Sequence, residues 1–412
     1  MRVIIIGAGA SGLMAAIEAA KGGHEVWILE KNEKAGKKIY ITGKGRCNVT
    51  NNCDVNNFVK NIITNPKFLY SALNKFKPLD TMNFFESNGV DLITERGNRV
   101  YPKSYVASDI TNCLLEEAIK NKVRILYKNE VKDINYKDNK FYISIMYNQA
   151  NYTQMICDKL ILATGGASYP STGSNGQGYT FLKKLGHTIN PLIPGLVRIE
   201  CKDAFLRDLD GLNLKNVNLT AITKSKTYSF FGELDFYNKG IEGPISLKLS
   251  SYINKCNEDI SLFIDLKSAL NEEQLDVRLL KEFDKEKNAP LKKVMKELLP
   301  QKLINSFLNV AHLDGDKNIN TVTVQERKTI INYLKNFPLR FSKLDSLDRA
   351  VVTVGGVDVK EVNPRTMESK LVDGLYICGE LLDVDALTGG FNLQIAFTTG
   401  YCAGQAIALL NE

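Results

Sequence analysis

No run of apolar residues approaches the roughly 18 that a membrane-spanning helix needs, so a place in the membrane is not expected. The apolar stretch after Met1 has no cleavage site behind it and begins a strand rather than a leader. Cysteine occurs at eight scattered positions, never as CxxC, and histidine at only three, so neither a disulfide framework nor a metal site is expected. Repeats and low-complexity tracts are missing. A strong charge excess is missing too: 53 Lys and Arg stand against 46 Asp and Glu, a net +7. That permits an anionic partner but does not mark a nucleic-acid module. With 44% hydrophobic and 24% charged residues over 412 positions, the composition is that of a soluble two-domain protein, expected in the cytosol.

What is present begins at the N-terminus. Residues 2–6 (RVIII) form a short apolar run, followed by GAGASG and a helix-periodic stretch through Leu13, Ala16, Ile17 and Ala20 to Gly22-Gly23. Residues 25–30 (EVWILE) supply a second strand, so the first 30 residues make a βαβ unit and a parallel sheet follows. Residues 159–163 (KLILA) and 374–378 (GLYIC) read as two more buried strands, each running into a glycine turn. Between them, residues 195–255 alternate like an antiparallel sheet (LTAIT, TYSFFGELDF, ISLKLSS), and residues 270–345 turn charged and helix-periodic with no strand pattern. The expectation is an α/β fold: a split Rossmann-type domain, 1–194 and 346–412, carrying an insert at 195–345 that is strand-rich over 195–255 and helical over 270–345.

Gly7-Ala8-Gly9-Ala10-Ser11-Gly12 follows a strand and opens a helix, the context in which GxGxxG carries meaning. Gly7 allows the tight turn, Gly9 the approach of a pyrophosphate, and Gly12 close packing of helix on strand. The helix N-terminus offers unpaired N–H groups and partial positive charge to that diphosphate. Glu30, at the end of the second strand, is placed to accept from an adenosine ribose, and its carboxylate repels a 2′-phosphate. FAD or NAD is therefore expected rather than NADP. The segment from Gly374 to Gly400 decides for FAD. Its strand ends in Gly379-Glu380, an acid (Glu380 or Asp383) serves a ribityl chain or diphosphate, and a Gly389-Gly390 break opens an apolar helix. The N–H groups at Phe391-Asn392-Leu393 suit the flavin pyrimidine edge, where charge accumulates on reduction.

A basic cluster, Lys34, Lys37, Lys38, Lys44 and Arg46, leads into Gly45-Arg46-Cys47-Asn48-Val49-Thr50-Asn51, whose donors suit a flavin or an anionic substrate. Neighbouring cations lower a thiol pKa, which nominates Cys47 as a proton donor beside Arg46. Tyr169, past the strand tip at Gly165-Gly166, is a third catalytic candidate. His24 and His312 read as structural, and His187 as a helix end, since none has a nucleophile beside it.

These patterns, with YPKSYVASDI (101–110), ATGGASYPSTGSNGQGY (163–179) and VGGVDVKEVNPRTMESK (354–370), resemble the BaiN/RdsA family of NAD(P)/FAD-dependent oxidoreductases, also called aminoacetone-oxidase-like FAD-binding enzymes. The resemblance runs over nearly the whole chain. It implies a split FAD domain with an inserted β-barrel-like and helical domain. It implies FAD contacts from Gly7, Gly9, Ala10, Ser11, Gly12 and Glu30, with Lys31, Lys38 and Val131, and from the loop Gly45, Arg46, Cys47, Asn48. Further contacts are implied at Ala163, Thr164, Gly165 and Gly166, and at Gly379, Glu380, Asp383, Gly390, Asn392, Leu393 and Gln394. The implied reaction delivers hydride from flavin to a C=C bond conjugated to a carbonyl, while a nearby acid protonates the α-carbon. Uracil in large-subunit ribosomal RNA and an unsaturated 3-oxo bile acid are the implied substrates. No second strand–GxGxxG–helix unit appears, so NAD(P)H would visit only transiently. An oxygen-using amine or aminoketone oxidase and an RNA- or ribosome-binding flavoprotein stay open as alternatives. One departure stands out: where similar proteins read F-T-H-x-G-x-S-G-P, residues 236–244 read FYNKGIEGP, without the Thr, His and Ser.

Overall fold

A computed structural model describes residues 1–148 and 150–411. Met1–Gly195 and the segment from Leu347 onward form one compact unit, and Leu196–Ser346 forms another.

The first unit is built on a five-stranded parallel sheet in the order Leu375–Ile377, Lys159–Leu162, Arg2–Ile6, Glu25–Glu30, Arg124–Tyr127. Val3, Ile4 and Ile5 are completely buried because a parallel strand has both faces covered, which is why the segment reads as an unbroken apolar run rather than an alternation. Helix Ala10–Lys21 covers one face and packs against helix Phe391–Ala408. Their backbones nearly touch: a Cβ on Gly400 would stand 2.3 Å from Ser11 O, and one on Gly404 would stand 2.3 Å from Ala15 O. Antiparallel additions flank this sheet: a meander of Asn129–Lys137, Lys140–Tyr147 and Asn151–Cys157, and a small sheet in which Arg99–Pro102 lies between Thr50–Asn51 and Leu92–Glu95.

The second unit is a closed six-stranded barrel, in the order Ile199–Cys201, Gly240–Glu242, Thr227–Tyr237, Asn213–Ile222, Ser261–Asp265, Phe337–Leu344. Ile264 pairs with Leu219 on one side and Phe337 on the other, and all three are fully buried. Helices Glu272–Lys285, Gln301–Val310 and Val324–Lys335 fill the long connection between the last two strands. The first and third start in capping boxes, Asn271 with Gln274 and Thr323 with Glu326, which satisfy otherwise orphaned backbone donors.

Two expectations are corrected here. ISLKLSS does not continue the sheet; it lies in helix Pro244–Ile253. Its apolar residues fit either period, but Pro244 opens the helix and Ile245, Leu249 and Ile253 are buried at helical spacing, so the wider window favours the helix. The stretch 270–345 does not lack a strand either: Phe337–Leu344 closes the barrel, and alternate residues Phe337 and Leu339 are buried on its inner face. No described helix is long and apolar enough to cross a membrane.

His187 lies just beyond helix Gln177–Lys184 and links remote segments. Its imidazole is buried, with Nδ1 3.0 Å from Glu361 Oε2 and Nε2 2.9 Å from Ser369 Oγ. Burial lowers its pKa below the ordinary 6.5, although Glu361 pulls the other way. An unfolded chain therefore takes up a proton here more readily than the folded one. The stability tied to this group is complete above pH 6.5 and is lost as pH falls from 6.5 through the lower folded value. Chemical denaturation across that window should show a shallower pH dependence of unfolding free energy in His187→Gln than in the parent; equal slopes would rule the group out as the source.

Candidate functional site

The glycine turn sits where the first strand ends, and two of its three glycines press on backbone while the third stands open. Gly7 has φ +104°, and a Cβ there would lie 2.5 Å from Ala163 O; a Cβ on Gly12 would lie 1.9 Å from Gly7 O. Gly9 is the opposite case, with no protein atom within 4 Å of an added Cβ, because it faces an open cleft. Helix Ala10–Lys21 has Gly9 as its N-cap and no side-chain cap, so its first-turn N–H groups are left for a ligand. Ala10 and Ser11 line the cleft as well.

Glu30 is buried at one end of this cleft. Its Oε2 accepts from Ala8 N–H at 2.8 Å, and its Oε1 accepts from Asn32 N–H at 2.8 Å and Asn32 Nδ2 at 2.7 Å. The acid thus shapes the turn as well as presenting a carboxylate to the cleft. Lys31 is beside it, its pKa lowered by burial while Glu30 and Glu130 oppose the shift. Val131 closes this end, its carbonyl accepting from Gln177 Nε2 at 2.9 Å. On the far side of the glycine turn, Ala163, Thr164 and Gly165 line the wall, with Gly166 packed behind them against Thr353.

Helix Phe391–Ala408 enters the same cleft through Asn392 and Leu393. Its N-cap Gly390 has φ +93°, and a Cβ there would lie 2.2 Å from Thr50 O. Asn51 Nδ2 donates to Gly389 O at 3.0 Å, and Thr50 Oγ1 donates to Gln394 Oε1 at 2.6 Å. The Thr50-Asn51 end of the basic loop is therefore a brace that fixes the start of this helix. The Asn392 side chain is spent on Ala386, accepting from its N–H at 2.9 Å and donating to its carbonyl at 2.7 Å. Gln394 is fully buried and donates to Thr398 Oγ1 at 3.0 Å. What the helix offers the cleft is backbone, not these two amides.

Of the two acids nominated between Gly379 and Gly390, Glu380 lines the cleft and Asp383 does not; the third acid there, Asp385, is buried as well. Asp383 is buried, and its Oδ2 accepts from Asn190 Nδ2 at 2.8 Å. Lys38 also lines the cleft and donates to Glu380 Oε2 at 2.5 Å. Gly379 packs on Ser11 beneath the floor.

The loop at Gly45, Arg46, Cys47 and Asn48 lies outside the cleft lining. Arg46 Cζ is 4.5 Å from the Tyr101 ring centroid and 5.4 Å from that of Tyr105, with an ion pair to Glu95 at 3.4 Å. Asn48 Nδ2 donates to the carbonyls of Thr50 and Val100, both at 3.0 Å, and so ties the loop to the small sheet. The acidified thiol expected at Cys47 is overturned. The side chain is completely buried, and burial pushes the thiol up to about 12 against the lowering by a Thr42 hydrogen bond. Desolvation outweighs the local cations, of which Arg46 is paired with Glu95 and Lys38 with Glu380 rather than with the thiol. Tyr169, at φ +51°, donates its N–H to Asp348 O at 3.1 Å, opens the turn Pro170–Thr172 and does not line the cleft. Ser174, Gln177, Val351 and Val352 line it and were not nominated from the sequence. The first two fall in the SNGQGY stretch, whose glycines signal a close approach; the valines carry no local mark.

A family model described as the HI0933-like protein Rossmann domain matches residues 1–406. The 3-dehydro-bile acid delta(4,6)-reductase of Clostridium scindens is 32% identical over 413 residues, covering 99% of each chain. The ribosomal RNA dihydrouridine synthase of Haemophilus influenzae is 32% identical over 409 residues, covering 98% of each. Among solved structures, the 3-ketosteroid-delta4-(5alpha)-dehydrogenase from Rhodococcus jostii RHA1 in complex with 4-androstene-3,17-dione shares the fold with a TM-score of 0.53 at 14% identity, over 98% of this chain and 96% of that one. With the family model spanning nearly every residue and the cleft assembled from both ends of the chain, this protein belongs to the HI0933-like Rossmann family.

Proposed function

We propose that this chain is an FAD-dependent reductase that saturates a C=C bond conjugated to a carbonyl. The observation that carries the reading is a single cleft joining a glycine turn with an open Gly9, the buried carboxylate of Glu30, and the N-terminus of a second helix at Asn392-Leu393. The donor set fits an elongated dinucleotide. Gly7–Gly12 and the uncapped helix behind them would hold the diphosphate, and Glu30 the adenosine ribose. The backbone at Asn392-Leu393 would face the pyrimidine edge of the ring, where a helix N-terminus favours negative charge by roughly 0.3–2 kcal/mol. FAD, when bound, supplies hydride transfer.

The substrate class comes from the relatives' names. A bile acid delta(4,6)-reductase and a dihydrouridine synthase both add hydrogen across a C=C bond, on a steroid skeleton in one case and on a base in ribosomal RNA in the other. The proposal therefore takes an enone-like carbon pair, in a small molecule or an RNA base, as the electron acceptor. NAD(P)H is the proposed donor, visiting transiently, since the first unit holds one parallel sheet with one glycine turn of this kind among the described residues. Cys47 is left out of proton delivery because its thiol is buried away from the cleft. Tyr169, partly exposed and carrying an ionisable hydroxyl, stays proposed as a catalytic residue, and the permanently charged Arg46 is proposed to orient an anionic or carbonyl-bearing substrate rather than to give up a proton.

Anaerobic mixing of the flavin-loaded protein with NADH, NADPH or amines should bleach the flavin with a reduced nicotinamide and not with an amine. Reduction by an amine alone would favour the oxidase reading. Gly9→Val should keep the melting temperature of the FAD-free parent, because an added Cβ meets no protein atom within 4 Å, yet lose FAD in reconstitution by at least about a hundredfold in affinity; full flavin occupancy in that variant would remove the diphosphate from this turn.

A further inference from the structure

The cleft wall carries a closed polar ring. Lys38 Nζ donates to Ser168 Oγ at 2.7 Å and to Glu380 Oε2 at 2.5 Å. Ser168 Oγ in turn donates to Glu380 Oε1 at 2.9 Å, and Thr353 N–H donates to that same oxygen at 2.7 Å. Both oxygens of Glu380 are thereby engaged. An ammonium has three donors. Two of those on Lys38 are used within the ring, and the residue lines the cleft with its side chain 25% exposed, so the third is available to a ligand there. Glu380, which the sequence nominates as a direct contact and which lines the cleft, also anchors the lysine.

The sheet order locates this cation along the cleft. The ribose acid ends strand Glu25–Glu30 and the glycine turn follows its neighbour Arg2–Ile6. Ser168 and Glu380 follow the next two strands on the opposite side, Lys159–Leu162 and Leu375–Ile377. The ends of those two strands lie roughly 5 and 10 Å from the strand that carries the glycine turn, on the side away from Glu30, and the hydrogen-bonded Ser168–Glu380 pair follows them there. A dinucleotide with its ribose at Glu30 and its diphosphate at the glycine turn has its other half over this ring.

We infer that Lys38 is a fixed cation serving the isoalloxazine half of the cofactor, and that Ser168 and Glu380 are positioning residues that act through it. The inference rests on the flavin reading above. Two-electron reduction leaves negative charge on the ring system, and an ammonium held nearby favours the reduced form over the oxidised one. The midpoint potential therefore rises with Lys38 in place and falls when it is lost or set free to move.

The test is a mutant cycle on the full-length holoenzyme, reading the midpoint potential of bound FAD by anaerobic dye equilibration, with FAD affinity measured by reconstitution. K38M should lower the potential, a tenfold loss of preference for reduced flavin appearing as about 30 mV. S168A, which removes only a hydroxyl and adds no charge, should lower it by less. In the K38M background S168A should add nothing, because it has no lysine left to position. K38R, which keeps a cation, should recover most of the shift. An unchanged potential in K38M overturns the inference, as does an S168A shift that survives in the double variant. Should K38M fail to fold, S168A and K38R decide alone: an unshifted S168A or a K38R shifted downward by more than S168A would sink it. A parent protein that takes up no FAD overturns the flavin reading itself, and this inference with it.

Discussion

Backbone pressed against backbone holds the candidate site together. Strand Arg2–Ile6 lies in the middle of the parallel sheet, and the turn after it is seated so closely on the neighbouring strand end that a methyl group at Gly7 would overlap Ala163 O at 2.5 Å. The helix that follows meets the C-terminal helix through Gly400 and Gly404 at the same kind of distance. Those contacts bring residues from opposite ends of the chain to one cleft. Gly390 repeats the device against Thr50, and so aims the second helix N-terminus into that cleft. Side chains could not replace these contacts, because the space a Cβ needs is already taken by carbonyl oxygens.

Much of this frame was legible in the sequence, and the reasons differ by element. The glycine turn could be read because its meaning depends only on a strand before it and a helix after it, both visible within 30 residues. Glu30 could be read because a strand end has a fixed offset from such a turn. Gly400 and Gly404 were not read. Four-residue spacing of small residues in an apolar helix means nothing until the facing helix is known, and that helix is about 380 residues away. Glu380 and Asp383 illustrate the same limit. Both are acids in one polar turn, and only long-range packing decides that the first reaches the cleft while the second is buried against Asn190.

The misread segments share one cause, a local pattern compatible with two environments. ISLKLSS alternates, but its apolar positions also fall at helical spacing once Ile253 is included. Arg46, Lys44 and Lys38 around Cys47 suggest a lowered thiol pKa by proximity in sequence, yet the loop turns that thiol into the core, while Lys44 stays exposed and Arg46 and Lys38 are committed to Glu95 and Glu380. Sequence distance stands in poorly for electrostatic distance where the chain reverses direction, and here Lys44 and Cys47 both take positive φ. The departure at residues 236–244 lies on barrel strands, where Tyr237 and Glu242 both neighbour Arg198, by ring contact and by ion pair.

Charge in the cleft is arranged so that no single group dominates. Two helix N-termini with Lys31, Lys34, Lys37 and Lys38 provide the positive side; Glu30, Glu130 and Glu380 answer it in part. Each helix end is worth about 0.3–1 kcal/mol where solvent reaches it, and a charge-assisted hydrogen bond about 1.5–3 kcal/mol. Affinity for a long anionic ligand is then a sum over many modest terms, so removing one polar group weakens it by a factor that the rest can partly absorb. Steric access is different in kind. The backbone at Gly9 must be bare for a diphosphate to approach at all, and no gain elsewhere in the cleft compensates for a side chain placed in that path.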